Sequence, residues 1–249
     1  AVDRGGRDKL TRQRSAWCAI AAQIQIIRKV LIGLKLNSIL FLIKNIITST
    51  PITENILYPA FEHLDKQKKI YKSFFANTET EYGAVGWLSH KRQEIRFSKL
   101  IEGVDIQNKK ILDFGCGTGA FYGFLKSEKI KCEYTGIDIL AEYIAKAKNK
   151  YPDAVFKNIS LREEPDTYDY IFASGVFAFS SQTLFFGYVD RAVSISKHGF
   201  IFNLILNAKH DGYLKLSKST LISHLNSKYK YSTKSGYLDS DITVSIVKD

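Results

Sequence analysis

The chain has 249 residues, 45% of them hydrophobic, with 16 Phe and 14 Tyr, so it can bury a full core as one large domain or one domain with an appendage. Its net charge of +11 is concentrated at one end: residues 1–48 hold nine Lys/Arg against Asp3 and Asp8, whereas the other 201 residues carry 27 basic and 23 acidic side chains, a near-balance that argues against a nucleic-acid-binding body. The three cysteines (Cys18, Cys116, Cys132) have neither paired nor metal-ligand spacing, which excludes a disulfide scaffold or a cysteine metal centre and favours a reducing, cytoplasmic compartment.

Residues 1–50 read as a basic, apolar-rich N-terminal extension. Its first 23 residues or so differ in composition from the Ile/Lys/Asn-rich remainder and are expected to be a leader. Residues 24–47 predict a basic amphipathic helix. Its longest uncharged run, Leu36 to Ile43, is far too short to span a bilayer. The helix is expected to pack on the body or on a second subunit, with peripheral attachment to a membrane surface as the alternative. Pro51 and Pro59 bracket a joint, and residues 51–109 are expected to form a helical lid or cap. Within it, Phe61–Phe75 and Trp87–Ile101 read as helices, and Thr78–Gly86 as turns.

From residue 110 onward, apolar strands alternate with helices, which predicts a parallel sheet covered on both faces. The expected strands are Lys110–Phe114, Glu133–Ile137, Ala154–Asn158, Tyr168–Ala173 and Gly199–Leu206. The expected helices are Ala120–Ser127, Ala141–Lys150, one within Ser181–Ser194, and Lys218–Lys228. Tyr229–Gly236 and Ile242–Val247 read as a terminal antiparallel hairpin. Glu163, Glu164 and Asp166 around Pro165 are expected to be a solvated loop.

The chemistry-bearing signal is Ile111-Leu112-Asp113-Phe114-Gly115-Cys116-Gly117-Thr118-Gly119-Ala120: a buried strand ending in an acid, then three alternating glycines leading into a helix. Such a turn lets a ligand approach the backbone closely and points free helix N–H groups at it. A second acid, Asp138, ends the next strand 19 positions after Gly119. With Ser174-Gly175-Val176-Phe177 after the fourth strand, Gly86–Phe97 ahead of the glycines, and Phe200-Ile201-Phe202-Asn203, these motifs resemble the class I S-adenosylmethionine (SAM) dependent methyltransferases, in particular bacterial small-molecule ones. The resemblance covers about Tyr82 to Val247. It implies a Rossmann-like α/β fold with a mostly parallel sheet over 110–249, SAM as cofactor and S-adenosylhomocysteine (SAH) as product. The substrate would be a small-molecule methyl acceptor.

It also implies a cofactor site. Gly115, Gly117 and Gly119 would let the backbone pass under the methionine and ribose, and Asp113 would hold the ammonium group. Asp138 would accept both ribose hydroxyls, with capping of the helix at Ala141 as its structural alternative. Cys116 is expected to matter for being small. Ile139 would touch an adenine face, and Ser174 belongs to the turn after the fourth strand. Where the family often has Gly-Asp after the third strand, this chain has Ile159-Ser160 followed by Leu161, so Ser160 or a backbone group would read the adenine. Arg96 is either a two-pronged partner for the methionine carboxylate or a helix-surface ion pair. Trp87 and Tyr82 would line the acceptor pocket or anchor the helix. His90 and Tyr82 are the candidates for a general base.

Gly115-x-Gly117-x-x-Ala120 with Asp138 also fits the relaxed dinucleotide fingerprint, so an NAD-dependent oxidoreductase is a rival reading. The third glycine, the terminal hairpin and Asp113, whose charge would oppose a pyrophosphate, favour SAM. A SAM-binding module without catalysis is a further alternative. The five histidines lack metal spacing, and the Ser174–Phe177 turn lacks the prolines typical of base-amine methyltransferases, so neither a metal nor a nucleic-acid substrate is expected.

Overall fold

The computed structural model describes residues 65–209 and 211–248, all within the compact unit Ala60–Asp249. The expectations for the leader, the 24–47 helix, the Pro51–Pro59 joint and His210 lie outside the described residues. Strands β1 to β7 are Lys110–Phe114, Glu133–Ile137, Val155–Lys157, Tyr168–Ser174, Ser196–Ile205, Lys230–Ser235 and Asp241–Val247. They form one sheet in the order β3-β2-β1-β4-β5-β7-β6. The first five strands are parallel, and β7 runs antiparallel to both β5 and β6. The mostly parallel α/β sheet with a terminal hairpin expected from the sequence is therefore present.

The helices are α1 (65–76), α2 (Glu81–Ala84), α3 (His90–Ile101), α4 (Ala120–Ser127), α5 (Ala141–Lys150), α6 (Gln182–Ile195) and α7 (Lys218–Asn226). No helix among the described residues is long and apolar enough to cross a membrane. The period of two along the strands assigns side chains to two cores. Leu112, Ile171, Phe200 and Phe202 face Leu184, Phe185 and Val189 of α6 and Leu221 of α7. Ile111, Phe172 and Ile201 face Phe97 and Leu100 of α3 and Phe121 of α4.

Several boundaries move for identifiable reasons. The stretch expected as turns contains α2, whose entry is capped by Thr80 Oγ1 accepting from the Gly83 amide. Helix α3 starts at His90 rather than Trp87 because the Ser89 hydroxyl accepts from the Arg92 amide. Strand β5 begins directly after α6, since Ser196 already pairs with Tyr168. The Glu163–Asp166 stretch is not wholly solvated. Glu164 is fully buried, and its carboxylate accepts from Lys157 Nζ at 3.1 and 3.2 Å.

Candidate functional site

The carboxyl ends of β1, β2 and β4 meet at one cavity, the place where open parallel sheets present their loops to ligands. It encloses about 880 Å³ including its mouth. Its floor is the glycine turn. The amides of Gly115 and Cys116 both donate to the Ile137 carbonyl at 2.9 and 3.0 Å, tying the end of β1 to the end of β2. Gly115 and Gly117 have φ of +76° and +54°, where side chains with a Cβ are strained. A Cβ at Gly117 would also lie 2.8 Å from Val85 Cγ1, and one at Gly115 2.5 Å from Val176 Cγ2. The turn thus leaves a bare backbone strip inside the cavity.

Two carboxylates enter this space. Asp113 is buried and accepts from the Tyr134 hydroxyl at 2.6 Å. Burial raises its pKa to about 7; the Tyr134 hydrogen bond works against that rise and the charge of Asp138 adds to it. Asp138 accepts from the Leu140 amide at 2.9 Å and the Gly117 amide at 3.0 Å. Burial raises its pKa to about 6 in spite of these backbone hydrogen bonds. No Lys, Arg or His is among the described residues lining the cavity. A ligand carrying positive charge would relieve two desolvated acids here, and a diphosphate would oppose them.

The structure sorts the expected site residues into two groups. Asp113, Gly115, Cys116, Gly117, Asp138, Ile139 and Ser174 line the cavity, as does Trp87. Burial raises the Cys116 thiol well above its usual range, with Asp113 and Asp138 adding to the shift, so it stays protonated and serves as a small wall residue. The Ser174 hydroxyl donates to Asn203 Oδ1 at 3.1 Å.

The other expected residues do other work. Gly119 is the N-cap of α4, and a Cβ there would meet Tyr151 and Phe156, so it serves helix packing and is not part of the cavity wall. Leu161 is a core residue, and the Ser160 amide donates to Glu163 Oε2. The wall position after β3 is taken by Ile159, one residue earlier than the sequence suggested. The Arg96 guanidinium is committed to Asp241 by a two-pronged pair (Nε–Oδ2 2.9 Å, Nη2–Oδ1 2.6 Å), with its flat face 4.3 Å from the Trp87 ring centroid. A methionine carboxylate would have to compete with that buried partner. His90 is exposed beside Glu94, and Tyr82 is half-buried, accepting the Trp87 N–H at its carbonyl; neither lines the cavity.

The wall opposite the sheet comes from residues the sequence did not single out: Gln67 and Tyr71 of α1, Val85, and Gln93 of α3. Three contacts hold this cover against α5. Tyr143 Oη donates to the carbonyls of Ala84 (2.5 Å) and Tyr71 (3.1 Å), Lys150 pairs with Glu81, and Lys72 pairs with Glu142 at 2.9 Å. The buried Gln93 recurs with Phe97 at a helical spacing of four, the one local sign that could have marked it.

The sheet order β3-β2-β1-β4-β5-β7-β6, with a glycine turn at its carboxyl edge, is that of the class I methyltransferase fold. Residues 112–193 match the family model for a methyltransferase domain. Among solved structures, the SAH-bound magnesium protoporphyrin IX methyltransferase ChlM from Synechocystis PCC 6803 superposes with a TM-score of 0.56 at 14% identity, covering 73% of this chain and 100% of that one. The N-methyltransferase NodS from Bradyrhizobium japonicum WM9 with SAH gives 0.57 at 14% identity, over 72% and 97% of the two chains. The DhpI–SAM–HEP complex gives 0.58 at 16% identity, over 74% and 96%. No curated protein matches the chain.

Proposed function

We propose that the protein transfers the methyl group of SAM to a small-molecule acceptor in a cytoplasmic setting. The observation that carries this reading is the cavity itself: a bare glycine strip flanked by two desolvated carboxylates, with no basic residue among its described walls. SAM has the complementary features, an ammonium group and a sulfonium centre that carry positive charge, and a ribose diol. In this reading Asp113 faces the ammonium group, Asp138 accepts from the ribose hydroxyls, and Ile139 and Ile159 flank the adenine. Bound there, SAM would supply an already activated methyl group to the acceptor's lone pair, with SAH as the leaving group. The protein's task is to hold the two partners in line and exclude water, which the α1–α2 cover does by closing the cavity from above. ChlM is named for methylation of magnesium protoporphyrin IX, a small molecule, which supports the same acceptor class here. The free Cys116 and Cys132 are in keeping with a reducing compartment.

Calorimetric titration tests the donor. SAM and SAH are expected to bind and NAD is not, and SAH is expected to be released on incubation of SAM with an acceptor mixture. Binding of NAD with no binding of SAH would refute the assignment. SAH binding without turnover would leave the non-catalytic alternative standing.

A further inference from the structure

Gln93 is only 4% exposed, yet it lines the cavity. Its backbone amide donates to the Ser89 carbonyl at 3.3 Å, but among the described residues its side-chain amide has no hydrogen-bond partner. A buried carboxamide is costly to leave unpaired, so one that faces a cavity points to a ligand that completes it. The other polar side chains of the cover wall are already engaged. Gln67 Nε2 donates to Ser180 Oγ at 3.0 Å, and Tyr71 Oη donates to the Gly175 carbonyl at 3.1 Å.

Gln93 and Asp113 lie on the same side of the sheet. Along β1 the period of two turns Asp113 the same way as Ile111, toward the core that α3 and α4 cover. Tyr134, whose hydroxyl donates to Asp113, belongs to that core as well. Gln93 stands one helical turn before Phe97, whose ring packs 5.2 Å from Phe121 and 5.7 Å from Phe124 of α4. Helix α4 starts at the cavity: Ala120 and Phe121 line it, and the N-cap is Gly119, so no side chain caps its first amides. This side of the cavity therefore offers a carboxylate, a carboxamide donor and an uncapped helix N-terminus. The zwitterionic end of an α-amino acid is complementary to that set, with its ammonium group on Asp113 and its carboxylate on the neutral donors.

We infer that the Gln93 side-chain amide donates to the methionine carboxylate of SAM, the role expected of Arg96 from the sequence. The inference rests on the SAM reading of the cavity. Arg96, less than one turn further along α3, is turned to Asp241 in the terminal hairpin, so the helix serves the cavity through Gln93 instead. A neutral donor also suits a wall that includes Asp113. A guanidinium there would pair with that carboxylate and keep it from the ammonium group.

The test compares SAH with 5′-methylthioadenosine, which keeps the adenosine and the thioether but lacks the amino acid end. Both are titrated by calorimetry into the full chain and into Gln93→Leu, which fills the same space without a donor, and Gln93→Glu, which sets a carboxylate against the ligand's own. The expected result is SAH binding weakened about tenfold in Gln93→Leu and more than that in Gln93→Glu, with methylthioadenosine within about twofold of the parent in both. SAH affinity within about twofold of the parent in both variants would overturn the inference. So would an equal loss for the two ligands, which would mean that Gln93 shapes the cavity as a whole and does not contact the amino acid end. Failure of both ligands to bind the parent would overturn the donor reading itself, and this inference with it.

Discussion

Asp138 accepts hydrogen bonds from the Gly117 and Leu140 amides while presenting the same carboxylate to the cavity, so it both shapes the glycine turn and offers ligand contacts. Asp138→Ala is expected to weaken SAH binding by about 1–3 kcal/mol in calorimetry, because two ribose hydroxyls lose a charged acceptor. Unchanged affinity would remove Asp138 from the site. Gly117→Val meets two obstacles at once, a φ of +54° and the Val85 methyl 2.8 Å from the new Cβ. That variant is expected to keep the far-ultraviolet circular dichroism of the folded sheet and lose measurable SAH binding; intact binding would mean the turn is not the cradle. Arg96 behaves in the opposite way. Arg96→Ala leaves the Asp241 carboxylate buried without its partner, so a stability loss of about 3–5 kcal/mol in denaturant unfolding is expected, with a smaller effect on SAH affinity than Asp138→Ala. A loss of affinity exceeding that of Asp138→Ala, with stability unchanged, would restore the carboxylate-clamp reading of this residue.

At the level of elements, the cover is the part of the site most open to testing. Tyr143, on α5, donates to the Ala84 and Tyr71 carbonyls and so holds α2 and α1 over the glycine turn. Tyr143→Phe removes both hydrogen bonds and keeps the ring that packs 5.5 Å from Phe75. The 77–80 connection is then expected to be cleaved faster in limited proteolysis, with SAH restoring part of the protection; an unchanged cleavage rate would show that the ion pairs of Lys72 and Lys150 hold the cover alone. The side chains by which this cover lines the cavity were the least legible part of the sequence. Strands β1 and β2 and helices α4 and α5 were read to the residue because apolar runs, glycines and a charged helix face are local signals. Asp113, Gly117 and Asp138 lie at the ends of those elements and came with them. Gln67, Tyr71 and Val85 reach the cavity only through contacts with residues some 30 or more positions away, and nothing local marks them. The partner of Arg96 lies 145 positions downstream in the terminal hairpin, so its helix offered no sign that the guanidinium was already taken. The wall residue after β3 was placed one position late, at Ser160 instead of Ile159, because β3 is only three residues long and gives little register for how the chain leaves it.

Over the whole molecule, the two cavity acids give the ligand-free protein an unusual dependence of stability on pH. Asp113 and Asp138 titrate at about 7 and about 6 when folded, against an ordinary value near 3.8. Between about pH 4 and pH 7 the folded protein therefore holds protons that the unfolded chain has released, and stability falls as pH rises through that window. Carboxylates paired on the surface, such as Asp166 beside Lys157 and Asp169 bound by the Lys110 amide, have lowered pKa values; their contribution is present above about pH 4 and lost below it. The two effects occupy different ranges, so the ligand-free Tm is expected to peak near about pH 4 and decline toward about pH 7, staying low above it. A ligand that brings an ammonium group to Asp113 stabilises the ionised form, so the rise in Tm produced by saturating SAH is expected to be larger at about pH 8 than at about pH 5. Asp113→Asn should flatten the decline in the ligand-free protein and reduce the pH dependence of the SAH effect together, because one carboxylate underlies both. Differential scanning fluorimetry across this range, with and without SAH, checks the argument. A ligand-free Tm that climbs from pH 5 to pH 8 equally in the parent and in Asp113→Asn would show that the buried acid is not the group that the cofactor neutralises.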